Sequence, residues 1–168
     1  SRTCLHLAAS VGNLQICNHV IDCGADVNCK DRWGGTPLTD AIREGHLELA
    51  KKLISRGARL DLPEPDASAE LCEHSRKADI TKVRILLESG LNVNAADYDK
   101  RTCLHLAASE GVRHIVTELI ERGANVNGRD RWSGTPLSDA IREGHTDIAR
   151  VLISSGGSLG YDTIRASS

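Results

Sequence analysis

The sequence predicts an all-α solenoid: helix-turn-helix units in series, joined by short β-hairpin fingers. Three observations predict it. The stretch Asp31–His46, DRWGGTPLTDAIREGH, returns nearly unchanged as Asp130–His145, DRWSGTPLSDAIREGH, at an offset of 99 residues, or three steps of 33. A fixed period of that size marks a repeat array. Columns 33 apart keep their type: Leu5, Leu38, Leu71, Leu104 and Leu137 are all leucine, and Gly24, Gly57, Gly90, Gly123 and Gly156 are all glycine. Finally, the 168 residues include no Phe and no Met, and aromatics are 2%. A core of Leu, Ile, Val and Ala suits thin helical layers that each bury a small face against a neighbour.

Each unit follows the same physical order. Thr36 caps a helix start and Pro37 takes the first helical position, where its missing N–H costs nothing. The helix Leu38–Glu44 is short and ends at Gly45, where the chain must turn. A second helix runs through Leu47, Leu49, Ala50, Leu53 and Ile54, whose apolar side chains share one face. Gly57 stops it with a left-handed residue. An extended piece follows, Ala58–Asp61 here and Ala25–Asn28 one unit earlier, and Asp31–Gly35 makes the turn into the next unit. No insertion or deletion is needed along the chain. The register places repeats at 1–30 (truncated on its N-terminal side), 31–63, 64–96, 97–129 and 130–162, with 163–168 opening a further repeat or forming a tail.

The third unit departs from this order. Its finger is Leu62-Pro63-Glu64-Pro65-Asp66, with two prolines and no glycine. Proline removes a donor and disfavours strand pairing, so an irregular or shifted finger is expected. Ala69 stands where the other units have a capping Thr, and Ser68 is the substitute cap. Ala166-Ser167 repeats Ala67-Ser68 at the same offset of 99, as if a superunit of three repeats were starting again.

The motifs TCLHLAASVG, TPLTDAIREGH, TCLHLAASEG and TPLSDAIREGH, with GADVN and GANVN closing units, resemble the ankyrin repeat family over essentially the whole chain. The resemblance implies a curved stack of helix pairs, with fingers projecting to make a concave face with the first helices. It implies that partners touch the finger residues after the Asp and the end of the first helix. Those positions are Arg32 and Trp33, Arg43 and Glu44, Tyr98 and Asp99, Ser109 and Glu110, Arg131 and Trp132, Arg142 and Glu143. It also implies that His6 and His105, in the TCLH tetrapeptides, tie helix starts to backbone groups rather than bind metal or act as bases.

Trp33 and Trp132 are the chain's two tryptophans, and both lie on finger turns. Trp and Arg are enriched among interface hot spots, which favours a partner touching both. Layers ~8–10 Å apart place the two roughly 25–30 Å from each other. The competing reading is that each ring lies over the neighbouring finger and stiffens it. The alternating charges of this surface favour orientation and specificity over tight apolar binding.

Other chemistries find less support. The formal charge of −2, with bases and acids mixed, lacks the basic excess of a nucleic-acid binder. No apolar run approaches a membrane span, and no secretory leader is visible. Cys4, Cys17, Cys23, Cys29, Cys72 and Cys103 form no Cys-x-x-Cys pair and read as reduced thiols of a cytoplasmic protein. His19 and Cys23 share a helical face, and Cys29 follows, but structural zinc wants four ligands; no metal or cofactor is expected. Asp40, Glu44, Asp139 and Glu143 recur because the unit recurs, without a nucleophile or oxyanion site beside them, so no catalysis is expected.

The expected function is therefore a non-catalytic protein–protein interaction module. The alternative is a regulatory or assembly segment of a larger enzyme or channel. The odd third unit resembles the ankyrin tail of animal-type asparaginases and the cytoplasmic ankyrin segment of plant inward-rectifying potassium channels. The strings DYDKRTCLHLAASEG and DRWSGTPLSDA resemble ankyrin segments of glutaminases and integrin-linked kinases. End-to-end self-association is a third possibility, because cut ends of a stack expose apolar faces; concentration-dependent sedimentation would reveal it.

Overall fold

A computed structural model of the chain describes residues 2–60 and 64–160. Within them ten helices follow in order: α1 (Cys4–Val11), α2 (Leu14–Asp22), α3 (Pro37–Arg43), α4 (Leu47–Ser55), α5 (Glu64–Arg76), α6 (Ile80–Glu88), α7 (Cys103–Ser109), α8 (Arg113–Glu121), α9 (Pro136–Arg142) and α10 (Thr146–Ser154). They divide between two compact bodies, one within Ser1–Asp61 and Arg84–Leu91, the other within Leu62–Val83 and Asn92–Ser168. In the first, α1 packs on α2 and α3, and α3 on α4. In the second, α7 packs on α5, α8 and α9, and α10 on α8 and α9. The leucine column is the core of both: Leu5, Leu38, Leu71, Leu104 and Leu137 are all buried.

The helix starts explain the one irregular element. A reciprocal box, in which the cap side chain meets the backbone of the fourth residue and that residue's side chain meets the cap N–H, stops a helix from running upstream. Thr36 and Thr39 make such a box, as do Thr135 and Ser138. In α1 and α7 the fourth residue is histidine: Thr3 N–H donates to Nδ1 of His6 at 3.3 Å, and Thr102 N–H to Nδ1 of His105 at 3.1 Å. The third unit has Ala69 and Cys72 in these two columns and loses both halves of the box. Nothing stops the helix at residue 69, and α5 runs on to Glu64, thirteen residues against seven in α3, α7 and α9. Pro65 falls in its first turn, where proline is tolerated. Ser68, expected as the cap, is a buried residue inside the helix instead. The expected irregular finger is thus, from Glu64 onward, helix; Leu62 and Pro63 lie outside the described residues.

The other fingers are simpler than the expected β-hairpins. Among the described residues no strand forms, and an antiparallel bridge joins Ala96 and Thr102. Five residues leave room for one closing pair. Asp31 N–H donates to Gly35 O at 2.8 Å, Asp97 N–H to Arg101 O at 2.9 Å, and Asp130 N–H to Gly134 O at 3.0 Å. The aspartate holds the turn from inside, as Asn and Asp do when they bond their own backbone. Asp130 Oδ1 accepts Trp132 N–H at 2.9 Å and Gly134 N–H at 2.7 Å, and Asp31 and Asp97 repeat the pattern.

The fourth residue of each turn is left-handed: Gly34 (φ 83°), Lys100 (φ 59°) and Ser133 (φ 65°). A side chain there is strained. Lys100→Gly and Ser133→Gly are each expected to raise stability by roughly 0.5–1 kcal/mol. The urea midpoint measures this; an unchanged or lower midpoint would contradict it.

Candidate partner-binding surface

The sequence-derived residues separate into four groups. Arg32 and Trp33 stand together on the first finger, the guanidinium 3.9 Å from the ring centroid, with Trp33 70% exposed. On α3, Arg43 bonds Asp40 and sits 3.2 Å from Glu44. The remaining eight belong to the second body.

Tyr98, Asp99, Arg131 and Trp132 form one cluster at two neighbouring fingertips. Arg131 N–H donates to Asp99 O at 2.9 Å, and its guanidinium meets Asp99 Oδ1 at 2.7 Å. The same guanidinium lies 5.6 Å from the Tyr98 ring and 5.3 Å from the Trp132 ring, within cation–π range. Tyr98 is 92% and Trp132 67% exposed. The link between these fingers is therefore Arg131. Trp132 is left largely in water.

Ser109, Glu110, Arg142 and Glu143 line a basin of about 640 Å³, together with Ala69, Cys72, Glu73, Arg76, Asp97, Arg101 and Leu106. Its acids are committed: Glu110 meets Arg76 at 3.7 Å, Glu143 meets Arg142 at 3.0 Å, Glu73 meets Lys77 at 2.8 Å, and Asp97 holds its own turn. Burial pushes the Cys72 thiol up to about 12, with Asp97 adding to it, so the sulfur stays protonated near neutral pH and is a poor nucleophile.

Arg101 is the basin residue that sequence reasoning missed. It stands 99 residues after Arg2, whose guanidinium grips both carboxylate oxygens of Asp40 at 3.0 Å. The corresponding Asp139 accepts Arg142 at 2.7 Å, and its Oδ2 is buried without a hydrogen-bond partner among the described residues. Arg101 reaches the Ser109 hydroxyl instead, at a loose 3.4 Å. The offset of 99 from Arg2 is the signal that points to Arg101; the direction of its side chain is not encoded in it.

His6 and His105 do what the resemblance implied. Each takes the cap N–H on Nδ1, and Nε2–H donates onward to a finger carbonyl, Gly35 O at 3.0 Å and Gly134 O at 3.3 Å. His19 Nε2 and Cys23 Sγ are 3.8 Å apart, whereas Cys29 lies by Thr3 and His6. No group of three or more metal-ligating side chains occurs among the described residues. All six cysteines are free thiols. No helix among the described residues is long and apolar enough to cross a membrane.

Comparison with known proteins agrees with the geometry. The family model of ankyrin repeats, in three copies, matches residues 1–64 and 71–162. The chain is similar to short parts of much longer proteins. It is 48% identical over 42 residues to the potassium channel KOR2 of Oryza sativa subsp. japonica, covering 25% of this chain and 6% of the channel. It is 43% identical over 47 residues to the mitochondrial liver isoform of glutaminase from Mus musculus, covering 27% and 8%. It is 49% identical over 41 residues to serine/threonine-protein kinase 12 of Arabidopsis thaliana, covering 24% and 9%. The matched part thus spans less than a tenth of each of these relatives.

Proposed function

The chain belongs to the ankyrin repeat family, and from that premise we propose that it is a non-catalytic module that holds a partner protein on its fingertips and first-helix ends. The repeat boundaries set by the 33-residue step, and an intracellular, cytoplasmic setting, are part of this reading. The observation that carries it is the Tyr98–Arg131–Trp132 cluster. Two large rings stand in water while the cation between them is held by an ion pair, a main-chain bond and both rings. Such a preformed surface loses little entropy on binding, and exposed aromatic and Arg side chains are the usual anchors. The protonated Cys72 thiol and the paired basin acids supply no nucleophile or free base, which supports a binding role.

A second reading is favoured by the short matches to proteins many times longer. The repeats would then be a regulatory or assembly segment of a larger enzyme, such as an amidohydrolase or kinase, or of a potassium channel. Binding to another part of the same polypeptide would use the same surface.

The double substitution Trp33→Ala/Trp132→Ala tests the surface. Both rings are exposed, so the melting temperature is expected to hold. Proteins retained from a cell extract by the immobilised chain are expected to bind about thirtyfold more weakly to the variant, as removal of a hot spot does. Unchanged retention with a lowered melting temperature would instead make the tryptophans structural.

A further inference from the structure

The lost finger of the third unit leaves an open rung. Neighbouring fingers in the second body are laced by main-chain and amide bonds: Arg131 N–H to Asp99 O at 2.9 Å, and Asn125 N–H to Asn94 Oδ1 at 2.8 Å. Thirty-three residues before Arg131 stands Tyr98. Its N–H is the donor that a regular third finger would receive, and it makes no hydrogen bond among the described residues. The missing acceptor follows from the sequence. Asp66 holds the position of the acceptor Asp99, and Glu64 that of the turn aspartates Asp31, Asp97 and Asp130; both lie in α5 rather than on a turn.

Space lies where that finger would stand. A groove of about 660 Å³ runs between Ser68 and Ala69 of α5 and the segment 92–98. Ala69 also lines the basin that holds Arg101, so groove and basin meet at this small side chain. Within the basin Arg101 is the uncommitted charge. It forms no ion pair among the described residues and reaches only Ser109.

We propose that this groove takes an extended segment of the protein partner, which lies beside the finger 97–101 as a surrogate for the finger the third unit has lost. A carbonyl of the segment accepts Tyr98 N–H as Asp99 O accepts Arg131 N–H. This is the addition of a strand to an unpaired edge, in which main-chain bonds supply affinity and side-chain sites supply specificity. Past Ala69 the segment enters the basin, where a carboxylate side chain pairs with the Arg101 guanidinium, whose planar fork matches it. The partner is thus an extended, acidic stretch of polypeptide. The inference rests on the reading of the chain as a protein-binding module and specifies one edge for it.

Amide hydrogen exchange on the whole chain, with a displayed library of random twelve-residue peptides as the probe, tests it. In the free chain Tyr98 N–H is expected to exchange at least a hundredfold faster than Arg131 N–H. Peptides selected from the library are expected to slow Tyr98 to the Arg131 range and to carry Asp or Glu at one position. Arg101→Gln is expected to weaken those peptides about tenfold and to erase the acidic preference. A second variant restores the finger and both halves of the box by replacing residues 61–69 with the sequence of 127–135, NGRDRWSGT, together with Cys72→Ser. It is expected to protect Tyr98 without peptide and to abolish peptide binding. Tyr98 exchanging as slowly as Arg131 in the free chain would overturn the proposal, because the edge would already be filled. So would peptides that bind the restored-finger variant equally well or leave Tyr98 unprotected. If extract proteins depend on Trp33 and Trp132 but leave Tyr98 fast, the module reading stands and this edge is not its site.

Discussion

Replacing Gly111 with alanine is expected to destabilise the protein by roughly 3 kcal/mol and to lower its melting temperature by about 6–12 °C. Two costs combine at this position. Gly111 is left-handed, φ +78°, a conformation in which a Cβ crowds the backbone at a cost of about 1–2 kcal/mol. The added carbon would also stand 2.6 Å from Cε1 and 2.9 Å from Nδ1 of His145. That ring is not free to retreat, because its Nε2–H donates to Ser109 O at 3.0 Å and so ties the end of α7 to the start of α10. Gly12 and His46 reproduce the arrangement in the first body, with Nε2–H on Ser10 O at 3.2 Å. Gly144 supplies the control. It holds the same turn position one unit on, φ +81°, with nothing within 4 Å of its would-be Cβ. Gly144→Ala is therefore expected to show the conformational cost alone, about 1 kcal/mol. Equal losses for the two variants in urea unfolding would show that the histidine contact contributes nothing.

Most of the fold was legible because it is repeated. A single Leu or Gly decides little, but five in register fix which face each helix buries and, α5 excepted, where the first helices begin. The extension of α5 was half legible. Ala69 and Cys72 stand in their columns as substitutions, yet it is their joint loss that removes the box, whereas the prolines by themselves imply only an irregular finger. The expected hairpins shrank to turns because five residues held by one aspartate satisfy the backbone without a ladder. In the surface, the exposure of Trp33 and Trp132 followed from their turn positions. That Arg131 joins two fingers, and that Arg101 leaves Asp139 where Arg2 grips Asp40, did not follow. These are choices among side-chain rotamers separated by about 1 kcal/mol, and residue type does not encode them.

His105→Ala is expected to cost about 3–4 kcal/mol at neutral pH, and to remove part of the protein's sensitivity to acid. The ring is fully buried and uses both nitrogens. Nδ1 accepts the Thr102 N–H at 3.1 Å and the Thr102 hydroxyl at 2.9 Å, while Nε2–H donates to Gly134 O at 3.3 Å. Alanine leaves a cavity between α7 and the following finger, with a buried donor and acceptor unmet. Burial holds His105 below the usual imidazole range, against the opposing pull of Gly134 O and Asp139. A second proton would also have to sit on Nδ1, facing the Thr102 N–H. His74 is lowered as well, first by burial and then by Lys82. A histidine whose folded pKa lies below its unfolded value of 6.5 binds its proton more tightly in the unfolded chain. Its stabilising contribution is thus complete above pH 6.5 and is lost as the pH falls below that value. Unfolding in urea at pH 7.5 and at pH 5.5 measures the effect. The wild type is expected to lose stability between the two, and His105→Ala to lose less, with the remainder carried in part by His74. A wild type more stable at the lower pH would reverse the sign and refute the assignment of a neutral, doubly bonded ring.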